Sequence, residues 1–512
     1  MLRCHARADR SATPRGDKSR RASLSLQLTR NLIQLDRGSD ELLLSNAFYM
    51  RPLYVAYGGR RIVELLSELP KGRTVEQLKS DFAADEKLIQ LLRDHRILVD
   101  PLVEKEGYDP REIAGTATAP RKIDRMTVFL LLTEACNLGC IYCLNGAETY
   151  EKSGRSRMNP DVALRSITAC LERLAPGGTL KVAFFGGEPL MNWPLLQEIV
   201  RRCESDIKLR YQDRHIAYHL TSNLTMCPPG LTDLLLRHRF TVMCDIDGPP
   251  EIHNRCRPYL KGRPSHARTA TTIARLVDAG VPVALRATVT SINEDRIFDI
   301  AAHHKELGAN TSAFVPVSPV NSDRQFLPRG LLPDPDKLAG RLAEVYRSGL
   351  WDKRALFPFN EYLLKLRPGA HQITACAAPS GTTPVVRTHG DVYFCIYLVG
   401  QEKYRFGSLG AEWDSRSMDA ATAALHVDNV EGCRACPWRY ACGGGCPVLN
   451  QVQFDAAEKN AEALEYGRKL NCDFTKAILT ELLWDIADEA KTSTPSDTRE
   501  GCPSLPEPAR VC

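Results

Sequence analysis

Three cysteines stand within eight residues of one another in the stretch TEACNLGCIYC: Cys136, Cys140 and Cys143, spaced Cys-x3-Cys-x2-Cys. Thiolates this close on one loop can reach the same iron–sulfur cube, for which cysteine thiolate is the usual ligand. Three ligands leave the fourth iron of a 4Fe–4S cube open, and an open iron can bind a substrate or a cofactor. The plainer reading is a structural zinc site. Such sites take ligands in pairs, Cys-x2-Cys followed by a second pair, which the 3-then-2 spacing does not match.

About 45 residues further on, FFGGEP runs from Phe184 to Pro189, directly after the apolar stretch Leu180–Phe185. An apolar run closed by Gly-Gly reads as a buried strand whose end must approach something closely. Gly186 and Gly187, without side chains, allow that approach. Glu188 adds an acceptor for a cationic amine. Near the C-terminus a second cysteine series appears. Cys376, Gly390 and Cys395 are spaced Cys-x13-Gly-x4-Cys, and Cys433, Cys436, Cys442 and Cys446 are spaced Cys-x2-Cys-x5-Cys-x3-Cys, with Cys472 beyond. Zinc held by Cys433, Cys436 and their neighbours is the alternative here. These motifs take ten of the eighteen cysteines. The other eight share no pattern and read as packing or tail residues.

The elements that must position these groups alternate. MTVFLLLT precedes the cysteine loop and TLKVAFF precedes Gly-Gly-Glu-Pro; HIAYHLTSN, FTVMCDIDG, VPVALRATV and NTSAFVPV follow, with amphipathic helical stretches between them. Strand–helix alternation implies a parallel sheet covered by helices. In barrels of this kind function sits at the C-terminal strand ends, where each motif falls. Upstream, DELLLSNAF and YMRPLYVAYG read as strands. RRIVELLSELP and TVEQLKSDFA read as helices, and EKLIQLLRDHRILVD as a helix and a strand. The 512 residues, 43% hydrophobic and 25% charged, are ordinary for a globular chain of two or three domains. A net charge of +5 is small and does not point to nucleic acid, and no apolar run approaches the roughly 20 residues that cross a membrane. The N-terminus lacks the apolar segment of a secretory signal, so the cysteines are expected as thiols in the reducing cytoplasm.

The cysteine triplet and Gly-Gly-Glu-Pro together resemble the radical SAM superfamily, and the C-terminal series resembles the SPASM extension of its peptide-modifying members. The resemblance implies an α/β fold, a partial (β/α)6 barrel, followed by a cysteine-rich domain. It implies that Cys136, Cys140 and Cys143 hold a 4Fe–4S cluster whose open iron chelates S-adenosylmethionine and cleaves it to a 5'-deoxyadenosyl radical. Gly186, Gly187 and Glu188 would hold the methionyl ammonium, and Tyr142 would lie against the adenine unless it is simply packed in the core. Asn223 would reach the ribose or carboxylate. Arg257 would hold the carboxylate, closing Asp247-Gly248-Pro249 … His253-x3-Arg257, a run similar to the family's Asp-Gly-Pro-x3-His-Asp-x2-Arg. Two positions depart from that pattern: Asp245 stands where serine is usual, and Asn254 where aspartate is. Two auxiliary clusters are implied, one on Cys433, Cys436, Cys442 and Cys472, the other on Cys376, Cys395 and Cys446 with an iron left open. The auxiliary clusters would remove a second electron or ligate the peptide.

By the same resemblance the chain divides into a tail (1–24), a winged-helix domain similar to RiPP recognition elements (25–110), the radical SAM core (120–325), a helical linker (326–370), a SPASM domain (371–485) and a second tail (486–512). A precursor peptide would dock by strand addition on the N-terminal domain, and flavodoxin or ferredoxin would donate electrons. The expected activity is cross-linking of a ribosomally made peptide or small protein subunit. Thioether formation comes first, and a carbon–carbon or carbon–oxygen link second. Sulfatase-maturing relatives carry an aspartate after the second motif cysteine, where this chain has Ile396. A non-catalytic iron–sulfur electron carrier would explain the cysteines but needs no Gly-Gly-Glu-Pro.

Overall fold

The computed structural model describes residues 25–38, 41–55, 62, 73–74, 76–78, 86–100, 123–143, 156–319, 327–408, 421–446, 448–449 and 461–492. The chain forms two compact units, Met1–Lys105 with Leu479–Cys512, and Glu106–Ile478. The first contains β1 (Ser25–Leu28), β2 (Leu32–Arg37), β3 (Glu41–Asn46), β4 (Leu53–Val55), β5 (Arg73–Thr74), α1 (Glu86–Asp94) and β6 (Leu98–Val99). β2, β3 and β4 form an antiparallel sheet, and β1 lies between β5 and β6. Leu26, Leu42, Leu44 and Leu53 meet Ile89 and Leu92 of α1 in its core. The Arg37 guanidinium pairs with both oxygens of Asp488, at 2.8 and 2.7 Å, and lies 4.3 Å from the Trp484 ring centroid. The helices expected in RRIVELLSELP and TVEQLKSDFA lie mostly outside the described residues, as do tail 1–24 and residues 493–512.

In the second unit strands and helices alternate: β7 (Arg125–Leu131), α2 (Pro160–Arg173), β8 (Thr179–Phe185), α3 (Trp193–Arg202), β9 (His215–Ser222), α4 (Leu231–Arg237), β10 (Thr241–Asp245), α5 (Pro250–Cys256), α6 (His266–Asp278), β11 (Val283–Val289), α7 (Ile297–Glu306) and β12 (Thr311–Pro316). The six strands are parallel, in sequence order, and each coincides with a predicted strand. Then come α8 (Pro335–Arg347), β13 (Leu356–Phe357), α9 (Phe359–Lys365), the short strands β14 (Val385–Val386), β15 (Asp391–Tyr393) and β16 (Arg405–Ser408), and α10 (Ala461–Thr492). β14 pairs parallel with β7, so the cysteine-rich region continues the same sheet, ten strands in all. The expected α/β fold with a mostly parallel sheet is the one observed. One expectation is corrected: α10 runs to Thr492, into the stretch read as a tail from 486. Its buried stripe Ile478, Leu479, Leu482, Leu483 and Ala487 keeps helical spacing past that point.

Alternate residues of each strand face the helices. Val128, Leu130, Val182, Phe184, Leu220, Val242, Cys244, Val283 and Leu285 pack with Ile167, Leu171, Ile199, Ile273 and Leu276. Each such side chain contributes about 1.5–3 kcal/mol on burial. The period of two then puts Asp245 and Arg286 together on the opposite, inner face, where they pair. Cys170, Cys203, Cys244 and Cys256 are buried packing thiols. Among the described residues no helix is long and apolar enough to cross a membrane.

His304 of α7 is fully buried, with Nδ1 2.9 Å from Ser312 Oγ and Nε2 2.8 Å from the Ile246 carbonyl. Burial pushes it down to about 4, against the pull of that carbonyl. A value below the unfolded 6.5 means stability is complete above pH 6.5 and lost as the pH falls toward 4, by about 3 kcal/mol for this ring. Urea unfolding of the reduced, cluster-free protein should show that loss between pH 6.5 and 4. H304Q, which keeps a donor to Ile246 but does not titrate, should flatten the slope by about one proton.

Candidate active site

The cysteine loop leaves the end of β7 and is held by the backbone of its neighbours. Gly187 N donates to Thr133 O at 2.8 Å and Glu188 N to Ala135 O at 2.9 Å, extending the β7–β8 ladder past the strands. A Cβ on Gly187 would overlap the Ala135 carbonyl, and one on Gly186 would overlap that of Thr133. Gly186 also has φ +133°, a conformation L side chains rarely adopt. The close approach that the two glycines permit is thus to the loop itself. On its other side, Gly139 N donates to Pro258 O at 2.8 Å and Ile141 N to Cys256 O at 3.0 Å, which docks the loop on the segment carrying Arg257.

Cys136, Cys140 and Cys143 share this loop, close enough that Cys143 raises the proton affinity of Cys136 and Cys140, and Cys136 that of Cys140. Burial is the larger cause and pushes the Cys136 thiol up to about 12. Among the described residues no three His, Cys, Asp or Glu side chains converge on a single ion. A cube makes a different demand, because each thiolate takes its own iron.

Glu188 is buried, and its carboxylate is already bonded. Oε1 accepts from Leu190 N at 3.0 Å and Ser222 Oγ at 2.8 Å, and Oε2 from Asn223 N at 2.8 Å. It therefore ties the end of β8 to the end of β9. Burial pushes it up to about 7, against those three hydrogen bonds. Asn223 turns its amide onto the cysteine loop: Nδ2 donates to Asn137 Oδ1 at 2.9 Å and lies 3.9 Å from Cys136 Sγ. Tyr142 is buried, donates its hydroxyl to Asp247 Oδ2, and has the Arg257 guanidinium 5.8 Å from its ring centroid. Asp247 also accepts from Thr288 N at 3.0 Å, while its own N–H donates to His253 Nδ1 at 3.2 Å.

Arg257 is the group with capacity left over. Its Nη2 donates to Asp245 Oδ2 at 3.2 Å, and Nη1 lies 3.8 Å from Asp247 Oδ1. Nε and Nη1 are buried without a hydrogen-bond partner. Such donors are costly to leave unmade, and they fit a planar carboxylate. Sequence reasoning missed Arg286, whose Nε and Nη2 donate to Asp245 at 2.5 and 3.0 Å. It also missed Arg387, whose Nε bonds Glu134 beside Cys136 at 2.6 Å. The available signal for the first was one arginine inside the apolar strand VPVALRATV.

The C-terminal thiols fall in two electrostatically coupled groups. Cys442, Cys472 and Cys436 raise Cys433, and Cys446 and Cys376 raise Cys395. Burial leads in both groups, pushing Cys433 and Cys395 up to about 12 and Cys446 to about 11.

Residues 130–303 match the radical SAM superfamily. The chain therefore carries a radical SAM domain, an enzyme domain that works with a 4Fe–4S cluster and S-adenosylmethionine. The chain is 23% identical over 336 residues to the serine-type anaerobic sulfatase-maturating enzyme of Bacteroides thetaiotaomicron, covering 61% of this chain and 80% of that one. It is 24% identical over 253 residues to the radical SAM cyclopropyl synthase TigE of Paramaledivibacter caminithermalis, covering 42% and 51%. The solved structure of native anSMEcpe with bound AdoMet shares the fold, with TM-score 0.57 at 20% identity over 72% of this chain and 100% of that one. The residues of this site fit the cofactors. The loop offers three thiols, and the buried guanidinium of Arg257, which lies 5.8 Å from the Tyr142 ring centroid, has two nitrogens without a hydrogen-bond partner.

Replacing Gly187 by alanine should force the loop off β8, with an overpacking cost of about 1–3 kcal/mol. Iron per chain after anaerobic reconstitution should fall by the share that the loop cluster contributes, while the C-terminal iron stays.

Proposed function

We propose that this chain is a peptide maturase that modifies a ribosomally made precursor peptide, or a small protein subunit, by closing an intramolecular cross-link. Thioether is the first choice of bond, and carbon–carbon or carbon–oxygen the second. The observation that carries the proposal is the pair of C-terminal thiol groups in the same sheet-built unit as the radical SAM loop. When bound, the cluster and S-adenosylmethionine supply a hydrogen-abstracting 5'-deoxyadenosyl radical; the chain's own residues bind, orient and shield. Arg257 would take the cofactor carboxylate through Nε and Nη1, and the Glu188–Ser222–Asn223 bonds hold the two strand ends against the loop.

Relatives named for maturing a sulfatase and a sporulation killing factor support this reading. So does Ile396, which packs among Leu131, Val385 and Tyr393, in apolar surroundings where a carboxylate base has no place. The N-terminal unit, with its two three-stranded antiparallel sheets among the described residues, is assigned to leader-peptide docking by strand addition. A flavodoxin or ferredoxin would supply electrons, and the free thiols suit the cytoplasm.

Anaerobically reconstituted protein should be brown and, with reductant, should convert S-adenosylmethionine to 5'-deoxyadenosine. The triple variant C136A/C140A/C143A should keep the C-terminal iron and lose this conversion; conversion that persists refutes the assignment. R257Q should weaken S-adenosylmethionine binding by roughly 10- to 100-fold, the loss of a charge-assisted hydrogen-bond pair worth about 1.5–3 kcal/mol. Equilibrium binding to the reconstituted protein measures this without turnover.

A further inference from the structure

Arg286 and Arg257 approach Asp245 from opposite sides. Asp245 Oδ1 accepts Arg286 Nε at 2.5 Å, and Oδ2 accepts Arg286 Nη2 at 3.0 Å and Arg257 Nη2 at 3.2 Å. Burial alone would raise this carboxylate, and the two guanidiniums outweigh burial and hold it below the ordinary range. Arg257 has a second carboxylate in Asp247, 3.8 Å from its Nη1, whereas the carboxylate that Arg286 bonds is Asp245. Beyond the aspartates, Arg257 acts on Tyr142 and Cys140, the cysteine-loop side. Arg286 acts on Tyr397, whose other titratable neighbours are Cys446, Cys395 and Asp245. Asp245 thus lies between a guanidinium near the cysteine loop and one near Tyr397.

The Arg286 side chain is 28% exposed, against 9% for Arg257, so it is open to something that enters from the inner face. Its Nη1 donates to no acceptor among the described residues, and neither does the Tyr397 hydroxyl. Its register partner on β12 is Ala313, and Ala284 precedes it on the same face of β11, so small side chains leave room beside the fork. Lys181 and His219 act near Arg286, and Glu188 and His253 near Asp245; burial keeps His219 neutral, down to about 3. With Nε and Nη2 on Asp245, the Nη1 end of the Arg286 fork is open to a further acceptor. A carboxylate fits that end in charge and shape as an amide does not.

We propose that Arg286, with the Tyr397 hydroxyl beside it, holds a carboxylate of the peptide, from an acidic side chain or from its C-terminus, and so selects the residue that is modified. This rests on the function proposed above and names the substrate chemistry of that same site.

The test uses the reconstituted full-length chain with S-adenosylmethionine, dithionite and short synthetic peptides at high concentration. Blocked pentapeptides carry one deuterated Asp, Glu, Asn or Gln at the centre, and a fifth peptide carries only a free C-terminus on a deuterated alanine. The readout is deuterium in 5'-deoxyadenosine: one C–D bond of the peptide breaks and one forms on the nucleoside carbon, with dithionite supplying the electron that cleaves the sulfonium. Transfer from Asp or Glu should exceed that from Asn or Gln by at least about ten-fold, because a site built to bond a group rejects the analogue that lacks it. Transfer from the free-terminus peptide alone would assign the carboxylate to the chain end. In R286Q the acid-to-amide ratio, normalised to that variant's own 5'-deoxyadenosine, should fall to about one. Y397F leaves the Arg286–Asp245 pair intact and should lower the ratio, which gives a second reading should R286Q fail to fold. Equal transfer from acid and amide peptides overturns the proposal, as does a ratio that survives in R286Q. So does transfer from no peptide while the wild-type chain still makes 5'-deoxyadenosine. If the wild-type chain makes none, the function above fails and this proposal falls with it.

Discussion

The cysteine loop keeps its shape because two residues without side chains stand where its carbonyls point. Gly186 and Gly187 allow the loop to run on as an extra ladder beside β8, with Thr133 and Ala135 accepting from Gly187 and Glu188. Every other feature of the site inherits that contact. Glu188 can bridge to Ser222 and Asn223 only because the turn before it is so close to the loop, and Asn223 can reach Asn137 and Cys136 only because Glu188 fixes its backbone. A backbone-to-backbone contact tolerates less adjustment than a side-chain contact, since neither partner has a rotamer to change.

Burial then sets the electrostatics. The thiols, Tyr142 and the aspartates lie where water is scarce, so each prefers its neutral form unless a neighbour intervenes. Arg257 is that neighbour for much of the loop, opposing the rise at Cys136, Cys140, Tyr142 and Asp247. One guanidinium with two donors unbonded serves as both counter-charge and unfilled binding group. These roles are compatible because the fork has more donors than its two aspartates use.

Much of this was legible in the sequence, and the limit has a physical cause. The six parallel strands announced themselves through apolar runs that end at chemical motifs. Spacing is a local property, and so are the glycines that a close approach demands. Which backbone the glycines would approach was not legible, because Thr133 and Ala135 are more than fifty positions away. The Asp245–Arg286 pair was half legible. Asp245 stood out at once, but its partner depended on the parallel register that sets β11 beside β10. The extent of α10 was misjudged because polar residues after 488 masked an apolar stripe that continues to Ala487.

The pairing of β14 with β7 has its own consequence for how this chain can be divided. Val385 and Val386 occupy the open side of β7 next to Phe129 and Leu130, so what resembles an appended module is the selvedge of the central sheet. Ending the chain ahead of residue 385 would leave an apolar strand with bare amides and carbonyls, the kind of margin on which chains stick to one another. The catalytic half and the cysteine-rich half are one fabric, and are expected to be inherited, exchanged and folded together.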